Sequence, residues 1–119
     1  MRGSSRFRPH EKLRASDDYQ RVKRSGRRVR TAHFGVNFAA NDLPHHRLGL
    51  VVQKRYWNAV GRNRIKRRIR EWFRLNKTRI PAPYRDIVVV ARPGAEKLSS
   101  LDVTKELLAI FLHKDGRIR

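Results

Sequence analysis

The sequence has no cysteine. Disulfides and thiolate metal sites are therefore excluded, and a reducing cytoplasm is the expected setting. No apolar run approaches the roughly 20 residues that would span a bilayer. The basic N-terminal stretch MRGSSRFRPH is not followed by an apolar one, so it does not read as a secretory signal. Acidic residues are scarce, with ten Asp and Glu in all. None of them forms a convincing pair for two-metal hydrolysis, which needs several carboxylates converging on closely spaced ions. A Gly-rich phosphate loop is missing, and no Ser or Lys has an evident triad partner. His45 and His46 adjoin next to Asp42, a weak metal candidate that reads more simply as an exposed polar turn. His33 reads as a strand-surface residue. The chain is thus a poor candidate for an enzyme acting through its own side chains.

Positive charge is what the sequence has in abundance. Thirty Lys and Arg give 119 residues a formal net charge of +20. A chain of this length makes one domain and buries roughly two-thirds of its unfolded surface, enough for one modest core. Self-repulsion on this scale works against compactness unless a polyanion relieves it. Nucleic acid fits best, because every neutralised phosphate releases counterions. A membrane surface fits less well, since the basic residues accompany a globular pattern and not a Trp/Leu-faced surface helix. Arginine outnumbers lysine, and its planar fork of donors, which also stacks on bases, suits RNA.

Along the chain, residues 1–12 read as a flexible basic tail and residues 13–119 as a single RNA-binding domain. A short helix follows the tail, with Ser16 as its cap, Asp17 and Asp18 at its positive end and Gly26 just past its last turn. Residues 29–40 alternate as one strand and residues 47–53 form the next, most simply as an antiparallel hairpin. The main helix covers residues 59–75, with Asn58 as N-cap and Ile65, Ile69, Trp72 and Phe73 as its buried stripe. Residues 86–91, Asp-Ile-Val-Val-Val-Ala, carry a β-branched run, the mark of a strand covered on both faces. A last helix runs from Ser100 to His113. Its Ser99/Asp102 pair has capping-box spacing, and Leu101, Leu107, Leu108 and Phe111 form its apolar face. This order predicts an α+β fold, a small sheet packed with helices.

The decisive segment runs from Asn58 to Arg70. At about 100° per residue, Asn63, Arg67, Arg70 and Arg74 share one narrow arc opposite the Ile65/Ile69/Trp72 stripe. Arg64, Lys66 and Arg68 widen that row. Only Glu71 offers an opposing charge, so the row is not neutralised within the helix. A guanidinium row of this kind suits a phosphate backbone and a folded RNA.

The string Asn58-Ala59-Val60-Gly61-Arg62-Asn63-Arg64-Ile65-Lys66-Arg67-Arg68-Ile69-Arg70 resembles the RNR motif of the bacterial ribonuclease P protein family. The likeness covers most of the chain: Leu13 to Gly26, Arg47 to Lys54 and Asp86 to Arg92 resemble the elements around that motif. The resemblance implies a ribonuclease P protein-like (ribosomal S5 domain 2-like) fold, a mixed sheet of about four strands with three helices and a left-handed βαβ crossover. It implies that Lys54, Arg55, Arg62, Asn63, Arg64, Lys66, Arg67 and Arg70 meet the catalytic RNA. It also implies a cleft between the first helix and the sheet for the 5′ leader of precursor tRNA, with Tyr19, Lys23 and Asn37 at its positions. Many family members carry aromatic residues where Lys23 and Asn37 stand, so leader contact here leans more on charge than on stacking. Trp57 stands where many members have Gly. Tyr19 can stack on a base or, equally, seat the first helix on the sheet.

The implied function is that of the protein subunit of ribonuclease P. Its partners are ribonuclease P RNA and precursor tRNA, with neither a membrane nor an obligate protein partner. The RNA performs hydrolysis with Mg2+, which it holds mainly itself; no organic cofactor is implied, and any metal on the protein is left open. A ribosomal-protein or RNA-chaperone type of binder would share the charge and fold without accounting for the motif. An independent metal-dependent nuclease is argued against by the few carboxylates.

Overall fold

The computed structural model describes residues 7–112. Helix α1 (Ser16–Ser25) precedes strands β1 (Arg27–Arg30), β2 (Phe34–Ala40) and β3 (Arg47–Val51). Helix α2 (Ala59–Asn76), strand β4 (Arg85–Ala91) and helix α3 (Ser100–Phe111) follow. The strands form one mixed sheet in the order β1-β2-β4-β3. The architecture is α+β, with four strands and three helices.

Two sequence expectations about the sheet are corrected. Residues 29–40 are not one strand but part of a β1–β2 hairpin, because the chain reverses at residues 31–33. Thr31 closes that turn: its N–H donates to Phe34 O at 2.8 Å, and its hydroxyl accepts from Phe34 N at 3.1 Å. Strands β2 and β3 do not pair with each other. Strand β4 lies between them, antiparallel to β2 and parallel to β3. The apolar run of residues 87–91 in β4 needs cover on both faces, which a central position supplies. Ile87, Val89 and Ala91 enter the main core, while Val88 packs on the other face with Val22 and Leu13.

The main core joins Ile65, Ile69, Trp72 and Phe73 of α2 to one sheet face and to α3. Helix α2 starts where Asn58 Oδ1 accepts from Gly61 N at 2.8 Å, as expected for an N-cap. Helix α3 has its capping box at Ser99 and Asp102, but its apolar face is rotated from the expected one. Leu101 is 62% exposed and Leu108 half-buried, and Val103 and Ile110 join Leu107 and Phe111 in the core. That set keeps the i, i+4, i+7, i+8 spacing, which fits a core stripe better than residues 101 and 108 would. In α1 the cap position is Ala15, and Ser16 is already helical. Gly26 follows α1 with φ −88°, so close approach is what demands glycine there. A Cβ would stand 2.5 Å from both Phe38 O and Val22 O.

Residues 7–12 of the expected tail are held on the domain. Residues 1–6 lie outside the described residues, as does His113. The Phe7 ring meets Phe73 edge-on with centroids 5.3 Å apart. Buried Glu11 accepts from Lys77 Nζ through both oxygens at 2.8 Å, and Leu13 N donates to Leu48 O at 2.9 Å. Polarity suggested solvent for this segment, but a buried ion pair and a strand-edge hydrogen bond hold it.

His46 is likewise not an exposed turn residue, being 3% exposed. Its Nδ1 accepts from Arg85 N at 3.0 Å, so Nε2 carries the proton and donates to Ile80 O at 3.1 Å. Burial pushes the His46 pKa down, although the Ile80 carbonyl opposes this. The unfolded chain therefore takes up a proton that the folded chain refuses. Stability contributed by neutral His46 is full above the ordinary histidine value of about 6.5 and is lost as pH falls below it. Urea midpoints should be lower at pH 5.5 than at pH 7.5, a window above the carboxylate range. Equal midpoints would contradict a buried neutral imidazole.

Candidate nucleic-acid interface

Helix α2 turns its apolar stripe inward and leaves Asn63, Arg64, Arg67 and Arg70 exposed. None of the four makes a hydrogen bond or ion pair among the described residues. Arg62 and Lys66 are half-buried on one flank, where Arg62 Nη1 donates to Trp57 O at 3.2 Å. Trp57 is itself pinned, its Nε1 donating to Glu96 Oε1 at 2.7 Å. On the other flank the Arg68 guanidinium donates to Leu98 O, so Arg68 is a fastener to the loop before α3. Lys54 and Arg55 are exposed in the turn that leads into α2. The Arg55 guanidinium lies 4.8 Å from the Tyr56 ring centroid.

The sheet face opposite the main core forms the second part of the site. Arg28, Asn37, Val88 and Gly49 are successive ladder partners across the four strands and so share that face. Tyr19 lies over the Gly49 end: a Cβ on Gly49 would meet the Tyr19 hydroxyl at 2.6 Å. The hydroxyl donates to Leu13 O at 3.2 Å and accepts from Leu50 N at 3.1 Å. Burial pushes its pKa up. Tyr19 therefore does seat α1 on the sheet. Lys23 is exposed one turn further along the same helix.

Beyond Asn37, Arg28, Arg30, Arg55 and Arg92 surround a recess of about 350 Å³ that includes Gly35 and Val90. Arg28, Arg30 and Arg92 escaped the sequence reading. Recognising the turn at Thr31 would have put Arg28 and Arg30 on a strand beside Asn37. The structure thus joins Arg55 to this recess. It brings Tyr19, Lys66 and Arg70 to a different pocket, of about 210 Å³.

A family model described as ribonuclease P matches residues 7–115 of this chain. The chain belongs to the ribonuclease P protein family. It is 44% identical over 105 residues to the ribonuclease P protein component of Syntrophus aciditrophicus, covering 88% of this chain and 87% of that one. Among solved structures, the Staphylococcus aureus RNase P protein superposes with TM-score 0.77 at 34% identity, over 90% of this chain and 98% of that one. The Thermotoga maritima RNase P protein does so with TM-score 0.77 at 33% identity, over 85% and 94%.

Several carboxylates of this chain serve as internal fasteners. Asp86, fully buried, accepts from Arg47 at 2.7 and 2.6 Å, from Asn41 at 3.0 Å and from Arg21. Glu106 accepts from Thr31, from His33 N at 2.7 Å and pairs with His33 Nδ1 at 2.9 Å. Glu71 holds Arg74 at 2.5 Å. No group of three or more His, Asp or Glu among the described residues is arranged to hold a metal ion. No described helix is long and apolar enough to cross a membrane.

Tyr19→Phe should cost about 1 kcal/mol, because it removes the bridge between Leu13 O and Leu50 N while keeping the ring. A urea titration would read this. An unchanged midpoint would mean that water replaces the hydroxyl without penalty.

Proposed function

We propose that this chain is the protein subunit of ribonuclease P, which removes the 5′ leader of precursor tRNA to give the mature 5′ end. The exposed face of α2 docks on the catalytic RNA through Asn63, Arg64, Arg67 and Arg70. Arg62 and Lys66 extend that contact on one flank, and Lys54 and Arg55 lead into it. The sheet face with Tyr19, Lys23 and Asn37 receives the single-stranded leader. The committed hydroxyl of Tyr19 and the surrounding arginines support leader contact made more through charge than through stacking. The carrying observation is the row of unpaired donors on one side of a helix whose other side is locked in the core. Such a row is costly in an isolated fold and is relieved by phosphates.

Hydrolysis belongs to the RNA subunit, with magnesium held mainly there. The protein binds and orients, and its charge reduces repulsion between the two RNAs. The cytoplasm is the compartment where these RNAs meet.

Precursor-tRNA cleavage at low magnesium, with a bacterial ribonuclease P RNA and with or without this protein, tests the proposal. Correct 5′ maturation that depends on the protein is expected. Binding to structured RNAs in general, without stimulation, would instead make it a structural RNA-binding protein.

A further inference from the structure

The outer edge of β3 carries a feature that neither the motif helix nor the leader face accounts for. The chain at residues 12–14, the side chain of Tyr19 and the Lys66–Arg70 turn of α2 surround the 210 Å³ pocket. Tyr19 borders it and also lies over Gly49 on the leader face. Leu48 and Leu50 at the pocket pack with the main core, whereas Gly49 lies on the opposite face with Asn37.

The lining is of two kinds. Phe7, Leu13, Tyr19 and Leu50 supply apolar wall, and Lys12, Arg14, Lys66 and Arg70 bring positive charge from two separate parts of the chain. No carboxylate lines the pocket. None of the four cations has an acidic partner among the described residues, and Lys12 has only the Phe7 ring, 5.3 Å from its ammonium. The volume lies below the roughly 300 Å³ at which drug-sized sites begin, so a single ring system is the matching size. A flat apolar wall ringed by unpaired cations matches a base attached to phosphates.

We propose that this pocket takes one unstacked nucleotide of single-stranded RNA, its base against the apolar wall and its flanking phosphates on Lys12, Lys66 and Arg70. The proposal rests on the reading above and deepens it, because it makes the segment from Phe7 to Arg14 part of the RNA interface. The nucleotide comes from the catalytic RNA or from the leader, and the same chemistry serves either.

A fluorescent uridine tetranucleotide titrated into the full chain tests the pocket without requiring the ribozyme. Leu50→Trp, which fills the pocket, should weaken binding about ten-fold, in line with the loss of one stacked base. Circular dichroism reports whether that variant folds. If it does not, Lys12→Ala with Lys66→Ala should give a comparable loss. Unchanged affinity in the folded Leu50→Trp variant, or in the double variant, overturns the proposal.

The source is read in the holoenzyme. The chain has no cysteine, so Arg14→Cys provides a unique attachment point for an aryl azide crosslinker. Crosslinks are expected at one or two adjacent nucleotides. They persist with leaderless substrate if the nucleotide is in the catalytic RNA, and vanish with the leader otherwise. Crosslinks scattered over many nucleotides would overturn the proposal even where stimulation of cleavage is intact. Absent stimulation with intact oligonucleotide binding would count against the ribonuclease P reading and leave the pocket standing.

Discussion

Replacing Arg62, Arg67 and Arg70 together with Ala is expected to weaken binding to ribonuclease P RNA by about a hundredfold to a thousandfold. Hydrogen bonds to charged groups contribute about 1.5–3 kcal/mol each, and the three are not fully additive. The dependence of binding on salt should flatten as well, with the slope of log K against log salt falling by roughly two to three. Cleavage at low magnesium should drop towards that of the RNA alone. The fold should survive, because Arg67 and Arg70 are exposed and Arg62 gives up one hydrogen bond, to Trp57 O. Arg68→Ala supplies the contrast. It removes the link to Leu98 O, so it should lower stability and leave the salt slope nearly unchanged. If the triple variant binds as the unaltered chain does, α2 is not the docking face.

Asp86→Ala is expected to produce the largest loss of stability, about 3 kcal/mol. Removing one partner of a buried ion pair typically costs about 3–5 kcal/mol, since the other charge is left uncompensated. The lower end applies because the Arg21 side chain is 37% exposed and water can take over part of its solvation. Burial alone would push the Asp86 pKa up. The hydrogen bonds from Arg47 and Asn41 and the charges of Arg47 and Arg21 outweigh it and hold the carboxyl below its ordinary value. This contribution is therefore present above the unfolded aspartate pKa and lost as pH falls through the lower folded one. Urea denaturation at pH 7 measures the first effect, and the same titration at descending acid pH measures the second. A loss under about 1 kcal/mol would show that both arginines re-solvate freely. Because Arg21 sits on α1, the variant should also loosen the sheet face beside Tyr19.

What could be read in advance follows the range of the interactions involved. Helix α2 was legible because its signals are local: the Asn58 cap, the 3.6-residue period of Ile65, Ile69, Trp72 and Phe73, and an opposite face on which Glu71 is the one acid. The capping box of α3 was legible for the same reason, and the resemblance to the ribonuclease P family rested on that same contiguous string. The central place of β4 was foreshadowed only by the β-branched run at residues 87–90. The hairpin expected between residues 29–40 and 47–53 followed from chain proximity, which a strand arriving from residue 85 onward overrode. The tethering of Glu11 depends on Lys77, and the burial of His46 depends on Ile80 O and Arg85 N. No local pattern announces partners that distant. Tyr19 was placed on the cleft by resemblance, but the use of its hydroxyl needed Leu13 and Leu50 in three dimensions.

The division of labour between the two signs of charge has a genetic consequence. Seven carboxylates, Glu11, Asp18, Glu71, Asp86, Glu96, Asp102 and Glu106, are engaged with other residues of the chain. The side chains of the most exposed arginines of α2 make no hydrogen bond or ion pair among the described residues. Selection for heat resistance would therefore return changes at acidic positions and at the basic residues that hold them, such as Arg47 and Lys77, whereas selection for tRNA maturation in cells growing at low temperature would return changes at the exposed basic positions of α2. The two collections should overlap little, and suppressors of one should fail to rescue the other.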